Sequence, residues 1–515
     1  MPRVALLLVL TACTKDMAAP PEDSHVAPPE GVPQMSFVDA SGAAGIAHCV
    51  EFYGFAVADY DRDQSLDLAM SCGEHEPMRL LHGVGNVMQE QSSALNQSGE
   101  AQFSDRRVPA FGDVDGDGKL GLFVPTGGGD GFGAFLDQLY RNSDGVWTDV
   151  AADYNLQDPY GGARYGVWFD IDGDSDDDLF VGHRIYPGVP GRDAHTLYAN
   201  GPWTDVAEDL GFGVDPQSSG AGLAADWDGD DDLDLLLSAR CVGAAADCSD
   251  DPTSTPRYYE NRGAFVAHDC APLGQLVTAV SGDIDGDGDE DLALGRVGEE
   301  AALALNPGDG SPPCVWPLRS LGVNSTDATA VALADFDNDG TADLFIGRTN
   351  PDGAASAQWL RGVGATDFEP LGRTGPELWA ANGRVFAAPL DLDGDGWMDL
   401  LIGAEEVGEA PTMHLFRNEL GDIGSPSSGY TFWLLDSRGG GSTAGAAVSV
   451  GDRWARESAG GGWRTATRTP LHIGVGDATP AAVTVRWPDG TEQAMGELEP
   501  GCYVLRAAEG SANPC

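Results

Sequence analysis

Aspartates supply most of the chemistry available to this chain. The stretch Asp335-Phe336-Asp337-Asn338-Asp339-Gly340-Thr341-Ala342-Asp343-Leu344 reads D-x-D-x-D-G-x-x-D-L. Carboxylates at positions 1, 3 and 5 of a tight loop can converge on one centre, and the one at position 9 closes the shell. The carbonyl at position 7 is a natural further donor. Oxygens in this number suit calcium, a hard cation that takes six to eight of them at roughly 2.3–2.6 Å. Glycine at position 6 permits the sharp turn, often with φ > 0. With no cation between them, four carboxylates so close would repel one another.

The stretch recurs seven times, beginning at Asp59, Asp113, Asp170, Asp226, Asp283, Asp335 and Asp391, at steps of 52 to 57 residues. The candidate ligands are Asp59, Asp61, Asp63 and Asp67; Asp113, Asp115 and Asp117; Asp170, Asp172, Asp174 and Asp178; Asp226, Asp228, Asp230 and Asp234; Asp283, Asp285, Asp287 and Asp291; Asp335, Asp337, Asp339 and Asp343; and Asp391, Asp393, Asp395 and Asp399. The second set lacks its closing acid, because Gly121 stands there. Position 6 is glycine in the last three copies but Gln64, Ser175 and Asp231 in the first, third and fourth. An EF-hand is excluded, since position 12 is apolar throughout, from Met70 to Ile402. One such loop alone would read as a solvated turn, because Asp and Gly are ordinary turn residues. Six four-acid sets repeated in phase with strands favour structural metal sites.

Every copy carries an apolar residue at position 2 and leucine at position 10, so each loop sits between two buried strands. The seven copies resemble the FG-GAP/VCBS repeats of the integrin α-subunit head and its bacterial relatives. That resemblance spans about residues 36–425. It implies an all-β fold, a seven-bladed β-propeller, with a structural calcium in each loop.

Each repeat reads as four strands. In the third these are Gly166–Phe169, Leu179–Gly182, Leu197–Asn200 and Trp203–Val206; the second gives Leu139–Asn142 and Trp147–Val150. The ends are out of phase. Phe37–Gly42 matches a fourth strand but precedes the first loop, and the last repeat lacks one after His414–Asn418. The N-terminal strand is therefore expected to complete the seventh blade, leaving no open sheet edge.

Residues 426–515 have no acidic loop. Short β patterns recur at Tyr430–Leu435, Ala446–Val450, Leu471–Gly474 and Val483–Trp487, with a turn at Pro488-Asp489-Gly490. Gly441–Ala446, Leu471–Gly476 and Val483–Gly490 resemble the ASPIC/UnbV domain that follows such repeats in bacterial proteins and in the cartilage acidic protein family. Val448 stands near where that family usually has an arginine.

At the other end, Val4–Leu10 is an apolar run too short to span a bilayer, followed by Thr11-Ala12-Cys13. Leu10–Cys13 resembles a bacterial lipobox, which implies a signal peptide over residues 1–12 and lipidation of Cys13. Residues 13–35, rich in Pro, Ala and acid, read as a disordered tether. The resulting expectation is a lipid-anchored, extracytoplasmic protein of the bacterial envelope, at the outer membrane or cell surface. Beyond Cys13 eight cysteines remain, an even number that suits disulfides in an exported chain. Proximity in sequence pairs Cys49 with Cys72, Cys241 with Cys248, Cys270 with Cys314 and Cys502 with Cys515, among many alternatives.

Eighty-two acids against 28 bases give a formal charge of −54, which excludes nucleic acid as a natural partner and favours a soluble monomer. No HExxH or GxSxG occurs, and Gly127–Gly133 lacks the Gly-Lys-Ser/Thr ending of a phosphate loop. His183, His195 and His472 read as surface or hydrogen-bonding residues, and Trp147, Trp203 and Trp397 as core. The leading expectation is a calcium-stabilised binding or adhesion protein that recognises a protein or a glycan. The alternatives are a carbohydrate-active hydrolase or lyase, with its catalytic groups at the central channel, and a purely structural surface protein.

Overall fold

The strands that flank the aspartate loops are buried on both faces. Gly54–Ala58 and Asp67–Ser71 contain no exposed residue, and neither do Asp178–His183 and Asp291–Arg296. A sheet covered on both sides selects continuous apolar runs over alternation. All seven leucines at position 10 are fully buried, which fixes register at the same point of each repeat. Leu68, Leu122, Leu179, Leu235, Leu292, Leu344 and Leu400 lie opposite Leu81, Tyr140, Tyr198, Tyr259, Ala304, Leu360 and Phe416 of the following strand.

The computed structural model describes residues 35–515 except 47–48, 50–51, 73–75, 98–104, 128–135, 159–161, 185–193, 202, 213–218, 239–254, 323–326, 350–354, 372–383, 405–411, 422–426, 436–441, 463, 478–479 and 508. The expected signal peptide, Cys13, the tether up to residue 34, the Cys241–Cys248 pair and most of Gly127–Gly133 lie outside the described residues.

The chain is all-β. Seven four-stranded antiparallel sheets follow one another, each with its aspartate loop between the first and second strands. The first strands are Gly54–Ala58, Ala110–Gly112, Ala163–Phe169, Gly222–Ala225, Leu276–Gly282, Ala328–Ala334 and Val385–Leu390. Each contacts the first strand of the next sheet. The ring returns on itself where Phe386 packs on Phe52 and Phe55, with ring centroids 5.1 and 6.1 Å apart. The seventh sheet takes its fourth strand from the N-terminus: Phe37, Val38 and Asp39 pair with Asn418, Arg417 and Phe416. Phe37 then stacks on Trp359 of the sixth sheet at 4.6 Å. The expected closure is thus the observed one.

A recurrent asparagine latches adjacent blades. The Asn142 side chain reaches the Tyr60 carbonyl, Asn261 that of Ile171, Asn306 that of Trp227 and Asn418 that of Phe336. In each case the acceptor is position 2 of the preceding loop. All four asparagines are buried.

The C-terminal segment forms two more four-stranded sheets. One orders Leu471–Gly476, Ser428–Leu435, Gly501–Arg506 and Ala512–Pro514; the other orders Arg453–Arg456, Ala447–Val450, Ala481–Arg486 and Glu492–Leu498. They enclose a core of Tyr430, Phe432, Val448, Ile473, Val485 and Trp487. A hairpin leaves this domain and enters the centre of the ring. Its Ala459–Gly460 pairs with Leu223 and Ala224 of blade 4, and its Thr465–Arg468 runs parallel to Phe55–Ala58 of blade 1. A cavity of about 200 Å³ remains beside it, against the inner strands of blades 4 to 7. Disulfides join Cys49 to Cys72, Cys270 to Cys314 and Cys502 to Cys515, as sequence proximity suggested.

Asn306 also bonds its own blade, donating to the Glu290 carbonyl while its backbone N–H donates to Asp291. Truncation leaves two buried carbonyls short of a donor, each at a cost of about 1–3 kcal/mol. Asn306→Ala is expected to lower stability by about 2–4 kcal/mol in a denaturant titration. Asn513, whose amide lies exposed beside Glu509, serves as the control and should change stability by less than about 0.5 kcal/mol.

Candidate metal centres

The loops share one backbone design. Position 6 adopts a left-handed conformation in all seven, with φ from +69° at Gln64 to +102° at Gly288. Position 4 does the same, at Arg62, Gly116, Gly173, Gly229, Gly286, Asn338 and Gly394. This second requirement explains the glycines at position 4, which the sequence reading did not single out. Gln64, Ser175 and Asp231 hold at position 6 a conformation that costs L-residues about 1 kcal/mol or more.

Two of the four acids shape the loop. The first accepts backbone N–H groups from the tip; Asp391, for example, takes those of Asp395 and Gly396 at 3.1 and 2.9 Å. The fifth-position acid accepts the N–H two residues on, from Ser65 on Asp63 to Trp397 on Asp395. The ninth-position acid ties the hairpin to its third strand. Asp399 accepts from Leu392 and Asn418, and Asp67, Asp178, Asp234, Asp291 and Asp343 make the corresponding pair of bonds. The closing acid is therefore a structural tie as well as a candidate ligand. In blade 2, where Gly121 replaces it, Asp177 of the neighbouring loop accepts the Asp113 N–H at 3.0 Å.

The third-position acid is the one left facing the centre. Buried Oδ1 atoms of Asp61, Asp228 and Asp393 have no hydrogen-bond partner. Orphaned carboxylate oxygens are costly unless a cation meets them. Single oxygens of Asp59, Asp61 and Asp67 lie within 4.8 Å of one another, as do those of Asp113, Asp115 and Asp117, and of Asp170, Asp172 and Asp178. Such donor sets fit a hard divalent cation.

Burial raises these acids, and their neighbours' charges add to it. Asp59, Asp113, Asp170 and Asp283 are pushed up to about 6, Asp178, Asp291 and Asp391 to about 7, and Asp234 to about 8. Asp335, Asp343 and Asp399 also lie well above the ordinary carboxylate range, again chiefly through burial.

Cationic side chains reinforce some loops. The residue after the one opposite the position-10 leucine is His82, Arg141, Arg361 or Arg417 in blades 1, 2, 6 and 7, and each lies beside its own loop. The sixth loop has the strongest such contact: Arg361 bonds Asp337 at 2.5 Å and also pairs with Asp339. Ala199 and Leu305 stand at that place in blades 3 and 5, and Glu260 in blade 4.

The C-terminal domain lies across this loop face. Arg456 pairs with Asp226, Arg468 with Asp177, and Arg486 with Asp231. His472 Nε2 lies 2.6 Å from Asn338 Oδ1, and the Ser442 N–H donates to the Ser175 carbonyl at 3.0 Å. None of these arginines stood out in the sequence, because the contacts span up to 291 residues. Trp147, Trp203 and Trp397 are core, as expected. His183 and His195 are buried against each other, the His183 N–H donating to His195 Nδ1.

Two outcomes follow for the protein in chelator. Raised folded-state values mean that the cation-free fold holds more protons than the unfolded chain. The stability these acids contribute is therefore full below about pH 4 and lost as pH rises from there through about 6 to 9, and the melting temperature should fall over that interval. Ser175→Gly and Asp231→Gly should each stabilise the fold by roughly 0.5–1 kcal/mol in denaturant melts, since glycine meets φ > 0 without strain.

The FG-GAP-like repeat family matches residues 283–346, and the ASPIC and UnbV family matches residues 439–512. Cartilage acidic protein 1 of Mus musculus is 23% identical over 476 residues, covering 85% of this chain and 70% of that protein. The Homo sapiens protein is 23% identical over 479 residues, covering 85% and 69%. Among solved structures, Saccharomyces cerevisiae Sqt1 aligns with TM-score 0.39 and 11% identity over 91% of this chain and all of its own. The V. cholerae biofilm matrix protein Bap1 aligns with TM-score 0.32 and 13% identity over 88% of this chain and 72% of its own. The ring of aspartate-loop blades thus contains an FG-GAP-like repeat at residues 283–346 and is followed by an ASPIC/UnbV domain at residues 439–512, and the chain is similar over most of its length to cartilage acidic protein 1.

Proposed function

We propose that this protein is a calcium-stabilised, extracytoplasmic binding or adhesion protein, carried on the bacterial envelope by a lipid at Cys13. The observation that carries the calcium reading is the set of buried, partnerless oxygens on Asp61, Asp228 and Asp393, at the same position of three loops. The aspartates at positions 1, 3, 5 and 9 of each complete loop would hold the ion, which supplies the positive charge that lets these acids stay ionised while buried. Three disulfides support a life outside the cytoplasm. No helix among the described residues is long and apolar enough to cross a membrane.

Binding suits the geometry better than catalysis in a central channel. The hairpin strands Ala459–Gly460 and Thr465–Arg468 occupy much of the ring's centre, and its loop face carries the C-terminal domain. A ligand is left the opposite face, the outer rims, and a cleft of about 680 Å³ between the loops and the C-terminal domain. Half-buried Trp433 and the acids Asp63, Asp391 and Asp395 line that cleft. An indole face beside carboxylate acceptors is suited to a glycan or to a cationic peptide.

Chelation followed by calcium titration tests the first part. Between about five and seven ions should bind per chain, with a rise in melting temperature of at least about 10 °C. An unchanged melt would leave the loops as solvated turns. A glycan array run beside a polysaccharide cleavage screen tests the second. Retention without cleavage, weakened at least tenfold by Trp433→Ala, is the expected pattern, whereas turnover would move the reading to a hydrolase or lyase.

A further inference from the structure

The seven loops differ most in what leans on them from the third strand, and blade 1 is the exception among the cationic four. Three of those blades present an arginine, which is always charged and cannot ligate a metal. Blade 1 presents His82, whose neutral imidazole can. Its ring lies against three carboxylates of the loop. Nδ1 is 2.9 Å from Asp67 Oδ1 and 3.7 Å from Asp61 Oδ2, while Nε2 is 3.9 Å from Asp63 Oδ2.

These distances have two different meanings. The first is a hydrogen-bond distance; with the ring proton on Nδ1 and Asp67 ionised, Nδ1–H donates to a carboxylate oxygen that also accepts the Gly83 N–H at 2.8 Å. Such a bond fixes the tautomer and leaves the lone pair on Nε2, which is how metal-binding histidines are oriented. The Nε2–Asp63 separation is too long for a hydrogen bond. It matches the roughly 3–4 Å between two donors that share one ion about 2.1 Å from each. Asp61, Asp63 and His82 each offer an atom within 4.8 Å of the others. Independently, Asp61 Oδ1 is buried and lacks a partner. The imidazole is only 18% exposed, and Tyr60 packs against it with ring centroids 5.9 Å apart.

We infer that the first loop is a mixed imidazole–carboxylate site that prefers a borderline divalent ion of the zinc class over calcium. Asp61, Asp63 and His82 Nε2 are its donors, and Asp67 is the positioning residue that orients the ring. Imidazole suits zinc and its neighbours, whereas calcium is served by oxygen alone. The inference rests on the reading of the loops as cation sites. It adds that the loops are not equivalent: the five other complete loops belong to the hard-ion class and the first does not.

The test uses the full chain, stripped with chelator and then saturated with calcium, as wild type, His82→Ala and His82→Arg. The arginine variant copies the side chain that blades 2, 6 and 7 carry at this place, so it keeps the counter-charge and removes the ligand. Zinc is titrated against constant excess calcium and both metals are counted after gel filtration. Wild type should retain one zinc more than either variant and bind it at least tenfold more tightly, with the calcium count of the other loops unchanged. Cobalt should give a visible absorption band in wild type that both variants lack. Equal zinc binding by wild type and His82→Arg overturns the inference and leaves His82 as a counter-charge. If that equality comes with a normal calcium count, only the inference falls; if calcium is not bound at all, the reading beneath it falls too.

Discussion

The constraint on which the molecule depends is the burial of carboxylates beside one another. Asp67, Asp234, Asp291 and Asp343 are fully buried, and each lies within a cluster of three further acids. Burial and like charge both oppose ionisation. The fold meets this partly with backbone N–H groups, two for each closing acid, and partly with guanidinium and imidazole groups borne by third strands. What these leave over shows on the third acid of the first, fourth and seventh loops, where Oδ1 of Asp61, Asp228 and Asp393 stands without a donor.

The same acids organise the assembly above the ring. Arg456, at the end of the C-terminal domain's Arg453–Arg456 strand, and Arg468, on the second arm of the inserted hairpin, reach Asp226 and Asp177, in adjacent loops. Burial would lower an arginine's charge preference, but the acids around each raise it instead. Part of the loop charge is thus met by the domain that lies above. Buried Glu290 and partly buried Glu457, next to these arginines, extend the network inward.

The repeat was legible because its determinants are local. Leucine at position 10, the alternating acids and the glycines lie within about ten residues, and turn chemistry and burial act on that scale. Closure by Phe37–Asp39 was legible for a related reason, since a fourth-strand motif stood at one end and was missing at the other. The left-handed backbone at Gln64, Ser175 and Asp231 was not, because nothing in those residue types asks for it; the neighbouring hydrogen bonds impose it. Nor was the latch visible. Asn142, Asn261, Asn306 and Asn418 lie at matching places in the sequence, but their acceptors are carbonyls, which any residue can supply. The inserted hairpin was least legible of all. Its strand Ala459–Gly460 is two residues long, and its partners lie more than 200 residues away.

That hairpin couples the two ends of the chain in time. The ring is complete only when Phe37–Asp39 meets Phe416–Asn418, a loop of about 380 residues. The hairpin that then bridges blades 1 and 4 comes from residues made later still. Contacts this distant in sequence form slowly, because loop entropy must be overcome before they contribute. Once formed they act as a strut across the ring, hydrogen-bonded to blades on two sides. Opening one blade then requires releasing the strut or the N-terminal strand as well. A molecule built this way should be slow to mature and slow to come apart, so its persistence outside the cell is set by a barrier more than by an equilibrium.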